Sequence, residues 1–264
     1  MDVTGKVVIV TGAGSGIGAA LARRLGSGGA RVVVSDIDAE SVARIAAETN
    51  AVAVAGDASD AAVIGRMIDM ATSEFGPVDI FFANAGIAGG EGLEDSDERW
   101  ATTFQVNTMA HVRAARALLP GWLERGTGLF VSTASAAGLL TSLGSAPYAA
   151  TKHAAVAVAE WLSVTYGERG IKVSCVCPMG VDTPLLHEGF SHGDEGKLAS
   201  KAVITSGAVL TPDAVAEQVI TEMGERFLIL PHPEVLKFFK HKGSDYDRWI
   251  DGMRWYQSAL RQQL

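Results

Sequence analysis

The chain has 264 residues, 48% hydrophobic and 20% charged, with a formal net charge of −8. That length and apolar content suit a single folded domain with a sizeable core, and the acidic balance with no basic block argues against nucleic-acid binding. No apolar run approaches the ~20 residues that cross a bilayer, the N-terminus lacks a signal-peptide pattern, and the two cysteines, Cys175 and Cys177, read as reduced core thiols of a cytoplasmic protein rather than as metal ligands.

Strands and helices alternate along the chain. Residues 6–12, KVVIVTG, form an apolar β-branched run ended by glycine, the pattern of a buried strand. A helix follows through about Leu25. Residues 30–36 are the second strand, 38–50 a helix with an acidic first turn and Asn50 at its end, 51–57 the third strand and 59–75 the third helix. Residues 78–86 are the fourth strand. Helical stretches at 96–109 and 110–125 follow, with Pro120 marking a kink or break. Residues 128–135 are the fifth strand, 171–178 the sixth and 226–231 the seventh, with a helix from Pro147 before the sixth and one near Thr211-Pro212-Asp213 before the seventh. This order predicts an α/β fold: a doubly wound, seven-stranded parallel sheet with helices on both faces. Residues 180–210, polar and glycine-containing, read as a mobile lid. The aromatic-rich tail from about 232 to 264 is expected to pack on the domain or on a neighbouring subunit.

Three features carry chemistry. Thr11–Gly18, TGAGSGIG, joins the first strand to its helix. No lysine follows its glycines, so it is not a triphosphate loop. Glycines beside a helix N-terminus do suit a pyrophosphate, or simply a tight turn. Asp36 lies 18 residues beyond Gly18, near the ~20-residue offset of a ribose-binding acid; its alternative is helix capping. An acid there accepts ribose hydroxyls and repels a 2′-phosphate, and Ser15 and Ile37 add no positive charge, so NAD is favoured over NADP. Asp57 either accepts from an adenine amino group or caps the following helix.

The third feature is Tyr148 and Lys152, four residues apart on one helix face. A cation within ~4–6 Å favours a phenolate and lowers its pKa by ~1–3 units, which would make Tyr148 an acid/base near neutrality. The alternative is an ordinary exposed tyrosine with a snorkelling lysine. Ser135, 13 residues before Tyr148, ends the fifth strand, and Asn107 stands in an otherwise apolar helical stretch where asparagine needs a partner or a role.

With Thr11-Gly12-x-x-x-Gly16-x-Gly18, Asp57, Asn84-Ala85-Gly86, Asn107, Ser135 and Tyr148-x-x-x-Lys152, the chain resembles the short-chain dehydrogenase/reductase family over about residues 5–231. The resemblance implies a Rossmann-like sheet and hydride transfer between NAD and a secondary alcohol or ketone. Tyr148 would be the general acid/base and Ser135 would polarise the substrate oxygen. Lys152 would bind the nicotinamide ribose and lower the Tyr148 pKa, and Asn107 would hold a relay water. Cofactor contacts would come from Gly12, Ser15, Gly16, Ile17, Gly18, Asp36, Ile37, Asp57, Ala58, Asn84, Ala85, Gly86, Tyr148, Lys152, Pro178, Gly180, Val181 and Thr183, although Thr183 could be only a loop residue before Pro184. A homotetramer or homodimer is implied, packed through a helix carrying Ala154, Ala155, Ala157 and Ala159. Two positions depart from the family pattern: Ala83 replaces an asparagine, and Met179 a glycine.

An apolar or bulky substrate is expected, because Ile87, Leu139, Leu140, Leu143, Met179, Val181, Leu185, Leu186 and Phe190 offer an apolar lining and nothing among them reads as an anion clamp. His187 and His192 are not taken as metal ligands. The alternative is a nucleotide-binding sensory or scaffold protein that keeps the fold without turnover; intact Tyr148 and Lys152 speak against it.

Overall fold

In β1 (Val7–Thr11) Val8 and Val10 point into one core while Val7 and Ile9 point into another, so the strand is buried on both faces. The computed structural model describes residues 1–88, 92–187, 190 and 193–264. Among these, seven parallel strands lie in the order β3-β2-β1-β4-β5-β6-β7. They are β1, β2 (Arg31–Asp36), β3 (Val52–Ala55), β4 (Ile80–Ala83), β5 (Gly128–Thr133), β6 (Ile171–Val176) and β7 (Leu228–Ile229). All seven expected strands are present, each shorter than expected at one or both ends.

One helix layer holds α1 (Gly16–Ser27), α2 (Ala39–Thr49) and α9 (Pro212–Glu222), whose Leu21, Leu25, Ile45, Val215 and Val219 meet Val8 and Val10. The other holds α3 (Ala61–Phe75), α5 (Ala110–Arg125) and α6 (Ala146–Tyr166), packed on Ile9, Phe81 and Phe130 through residues such as Met67, Trp122 and Ala155. Strand order reverses between β1 and β4, the topological switch point at which open α/β sheets bind ligands.

Local chemistry sets the ends of the elements. Asp38 caps α2 through the Glu40 and Ser41 amides, and Asn50 closes it in the left-handed region at φ 55°. Thr211 caps α9, with Pro212 in the first turn.

The expected break at Pro120 does not occur, since α5 runs through it. The irregularity falls earlier, where α4 (Asp97–Phe104) passes into a π-helical turn, Gln105–Met109, centred on Asn107. Such turns concentrate at functional sites. The 180–210 segment contains two helices, α7 (Pro184–His187) and α8 (Gly193–Ser206), rather than an irregular loop. The tail forms α10 (Glu234–Ser244) and α11 (Tyr246–Arg261), and α11 packs on α8 through Leu260 and Tyr256.

Candidate active site

The glycine turn is pressed against the tip of β4. Gly12 and Gly16 have φ of 64° and 51°, which glycine adopts without strain. A Cβ on Gly12 would stand 2.8 Å from the Ala85 Cα, and one on Gly18 2.0 Å from the Gly12 carbonyl oxygen. Thr11 ties the two tips together: its Oγ1 donates to the Phe82 carbonyl at 3.1 Å and accepts the Asn84 and Ala85 amides at 3.0 and 3.1 Å. Asn84 Nδ2 returns a bond to the Thr11 carbonyl at 3.0 Å. Asp36 Oδ2 accepts the Gly14 amide at 2.9 Å, so the acid braces the turn from β2. Asp36 does not cap α2; Asp38 does. Ser15, the N-cap of α1, makes no side-chain capping bond. A glycine-rich turn, a helix N-terminus without a side-chain cap and an acid at the next strand tip fit a dinucleotide.

Ser135, Tyr148 and Lys152 come together just beyond β5. All three are buried, as is Asn107. The Lys152 ammonium lies 5.7 Å from the Tyr148 ring centroid and donates to the Thr133 carbonyl at 3.0 Å. Ser135 accepts the Ala137 amide at 3.1 Å, which fixes its side chain at the strand tip. Asn107 is held on both sides: Oδ1 accepts the Ile87 amide at 2.8 Å, and Nδ2 donates to the Ile87 carbonyl at 3.0 Å and to Thr151 Oγ1 at 3.2 Å. Thr151 Oγ1 in turn donates to the Tyr148 carbonyl at 3.1 Å. A Cβ on Gly86 would lie 3.3 Å from Asn107 Oδ1 and 3.4 Å from Lys152 Nζ, so the β4 tip runs between these two groups.

Burial governs the protonation of this cluster. It pushes the Tyr148 phenol above its ordinary value, while the Ser135 hydroxyl pulls the other way. Burial pushes Lys152 down to about 8, against the raising influence of Cys177 and Cys175. The expected lowering of Tyr148 by Lys152 is not what governs the phenol: burial raises it, and the opposing pull comes from Ser135.

One continuous cavity of about 890 Å³ joins these parts. Its cofactor end is lined by Gly12, Ser15, Gly16, Ile17 and Asp36, followed by Asn84, Ala85 and Gly86. Ser135, Tyr148 and Lys152 line its middle, near Pro178, Val181 and Thr183. Gly18, Ile37, Asp57, Ala58, Gly180 and Asn107 do not line it. Gly18 lies behind the turn and Ile37 points to solvent. Asp57 is exposed and accepts the Ser59 amide at 2.8 Å, whereas Asp60 caps α3. Of the expected apolar wall, Leu140, Leu143, Met179, Leu185, Leu186 and Phe190 are in place. Leu139 turns into the core, and the Ile87 backbone is occupied by Asn107. His187 pairs with Asp182 at 2.7 Å on the surface, and His192 lies outside the described residues. No cluster of three or more metal-type ligands occurs among the described residues.

Several contributing residues were not singled out from sequence. Arg44 Nη2 donates to the Gly14 carbonyl at 3.3 Å, putting a cation at the adenosine end. His232 is buried: Nδ1 accepts the Met179 amide at 3.1 Å and Nε2 donates to the Gly180 and Ala208 carbonyls at 3.0 and 3.1 Å. It thereby holds the loop in which Met179 replaces the family glycine. Its signal was the Pro-His-Pro run after β7. The tail supplies a further wall, including Phe238, His241, Arg248, Trp249 and Met253. Arg248 thus adds a cation to a cavity whose wall was expected to be apolar. Nothing in sequence links residue 248 to Tyr148; only the packing of α11 does.

The fold and this constellation define a nicotinamide-dependent oxidoreductase. Residues 6–193 match the short chain dehydrogenase family, and the chain belongs to that family. It is 41% identical over 195 residues to a 1-deoxy-11-beta-hydroxypentalenate dehydrogenase of Streptomyces exfoliatus, covering 70% of this chain and 71% of that one. It is 33% identical over 222 residues to D-threitol dehydrogenase of Mycolicibacterium smegmatis, covering 82% and 85%. Among solved structures, a short chain dehydrogenase/reductase from Burkholderia phymatum in complex with NAD superposes with a TM-score of 0.84 at 31% identity, over 94% of this chain and 96% of that one. The protein transfers hydride between a nicotinamide cofactor and an alcohol or ketone, and the alternative without turnover finds no support.

Proposed function

We propose that the protein is an NAD-dependent dehydrogenase, or in reverse a reductase, acting on a secondary alcohol or ketone of apolar, bulky character. One observation carries the reading: Ser135, Tyr148 and Lys152 line the same cavity as the glycine turn and Asp36. Bound NAD supplies the hydride acceptor, and its oxidised ring carries a positive charge. The chain's own residues handle the proton. In the oxidation direction Tyr148 Oη takes the proton of the substrate hydroxyl as the carbon loses hydride. Ser135 Oγ donates to the same oxygen and fixes its place. Lys152 holds the nicotinamide ribose and, together with the cofactor's charge, offsets the burial that keeps the phenol protonated. Asn107, rigid through Ile87 and Thr151, holds the relay water behind Lys152.

Asp36 sets the cofactor choice, since its carboxylate repels a 2′-phosphate. Wild-type and Asp36→Ala protein assayed with NAD and NADP on a panel of secondary alcohols test this. The wild type should prefer NAD. The variant should gain at least about tenfold in kcat/KM for NADP, because several kcal/mol of like-charge repulsion are removed and Arg44 remains beside the turn. A wild type that prefers NADP, or an unchanged ratio in the variant, would contradict the assignment.

The working form is a cytoplasmic homodimer or homotetramer. The outer side of α6 supports this, with Trp161 59% and Val164 85% exposed. Of the four alanines expected at a subunit contact, Ala155 and Ala159 are buried within the protomer, which leaves Ala154 and Ala157 for the outer side. The two cysteines are free thiols that share an S···S hydrogen bond at 3.9 Å, which suits a reducing compartment.

A further inference from the structure

Where the cavity runs under the tail, its walls change character. Leu140, Leu143, Phe238, Trp249 and Met253 are apolar, yet Arg248 lines the same space. Arg248 stands in the first turn of α11, and its amide is held by Asp245 Oδ1 at 3.0 Å. Its guanidinium has no carboxylate within 4.0 Å and no other hydrogen-bond acceptor among the described residues. The neighbouring Arg254 and Arg261 do pair with carboxylates, Asp251 and Glu195. His241, at the end of α10, faces the same space and offers a second donor.

We propose that Arg248 is a specificity-determining residue that binds a carboxylate on the substrate, at the end remote from the carbon that Tyr148 serves. The substrate class is then an apolar hydroxy acid or keto acid. Its skeleton lies along the leucines and Trp249, its carbinol reaches Tyr148 and Ser135, and its charge ends at the tail. Arg248 is exposed at the rim of the cavity, and with no acceptor among the described residues its planar fork of donors is available, a geometry that matches a carboxylate. Asp245 on the same wall accepts the Arg248 amide, and its negative charge weighs more heavily against a doubly charged phosphate than against a singly charged carboxylate.

This inference rests on the dehydrogenase reading and deepens it. The test uses alicyclic secondary alcohols that carry a carboxylate, each paired with its methyl ester, with NAD and full-length wild-type, Arg248→Met and Arg248→Lys protein. The acid should be preferred over the ester by about 10- to 100-fold in kcat/KM, the range for a charge-assisted hydrogen bond. That preference should collapse in Arg248→Met, chiefly through KM, and return in part in Arg248→Lys. A wild type that favours the esters, or an acid-to-ester ratio that ignores Arg248→Met, overturns it. Calorimetry of acid and ester binding to Tyr148→Phe protein with NAD, with and without Arg248→Met, separates this from the broader reading. Absence of turnover on every alcohol would refute the dehydrogenase. Absence of an Arg248-dependent difference in binding would refute the anchor alone.

Discussion

Burial shifts Tyr148, Lys152 and His111 in the same sense, each toward its neutral form. For the first two this is the setting of the proton transfer. His111 is a further member of the cluster: its Nδ1 lies 2.9 Å from Ser132 Oγ, while its Nε2 is buried without a partner among the described residues. Burial, with a smaller push from Lys152, lowers its pKa from 6.5 to about 3. Between those values the unfolded chain binds a proton that the folded protein refuses. Stability therefore falls as pH drops through that window, by at most ~1.4 kcal/mol per pH unit, and this contribution is flat above about 6.5. His111→Gln should flatten that part of the acid limb in urea titrations at a series of pH values. Parallel wild-type and variant curves between about pH 4 and 6.5 would show that His111 does not titrate this way. The reactive pair could be read from spacing, since two side chains four apart share a helix face whatever the tertiary structure. His111 could not be, because nothing local tells a buried imidazole in this helix from an exposed one.

Among the elements, the tail shows most clearly what packing adds. Lys242 on α10 is buried, and its ammonium donates to the Leu139 and Leu140 carbonyls at 2.8 and 2.6 Å, just past Ser135. A third contact reaches His153 Nε2 at 3.4 Å, one residue beyond Lys152. This cation fastens α10 over the loop that shapes the substrate end. Lys242→Met keeps the stem and leaves two carbonyls without their donor, at a cost of ~1–3 kcal/mol. Amide exchange across residues 234–261 should quicken by roughly 5- to 100-fold while β1 and β5 stay protected. Unchanged protection in the tail would show that Lys242 does not hold it. The 180–210 segment reads as a lid from its polar, glycine-containing composition. It becomes partly helical because Leu198 and Ala202 of α8 find Leu260 and Tyr256 of α11, a long-range contact that overrides local preference. The strands needed no such partner to be recognised. Central parallel strands are apolar on both faces, and only their tips, which turn into binding loops, were placed too long. Pro120 does not break α5, which runs through it, and the irregular turn at 105–109 forms where Asn107 reaches Ile87 and Thr151.

At the scale of the whole molecule, the strand order brings residues far apart in sequence to one edge. Gly12, Asp36, Asn84 and Ser135 all stand at or just beyond carboxyl ends of β strands, and the reversal between β1 and β4 opens the crevice between them. The parallel sheet followed from the βα rhythm; the order of its strands comes from the structure. The outer surface did not. Trp255 is 72% exposed on α11, so the tail covers the cavity with one face and leaves an aromatic on the other. No helix among the described residues is long and apolar enough to cross a membrane.

The central claim is that Tyr148 exchanges the proton with the substrate oxygen in the cavity that also holds NAD. Tyr148→Phe removes one hydroxyl and keeps the ring that packs edge-on against Phe190 at 5.4 Å. Steady-state turnover with an accepted alcohol and NAD, measured beside NAD affinity by calorimetry, tests it most directly. Turnover should fall by roughly 10²–10⁴ while NAD affinity stays within about threefold of wild type, a change of less than ~1 kcal/mol. A variant that turns over as fast as the wild type would contradict the account.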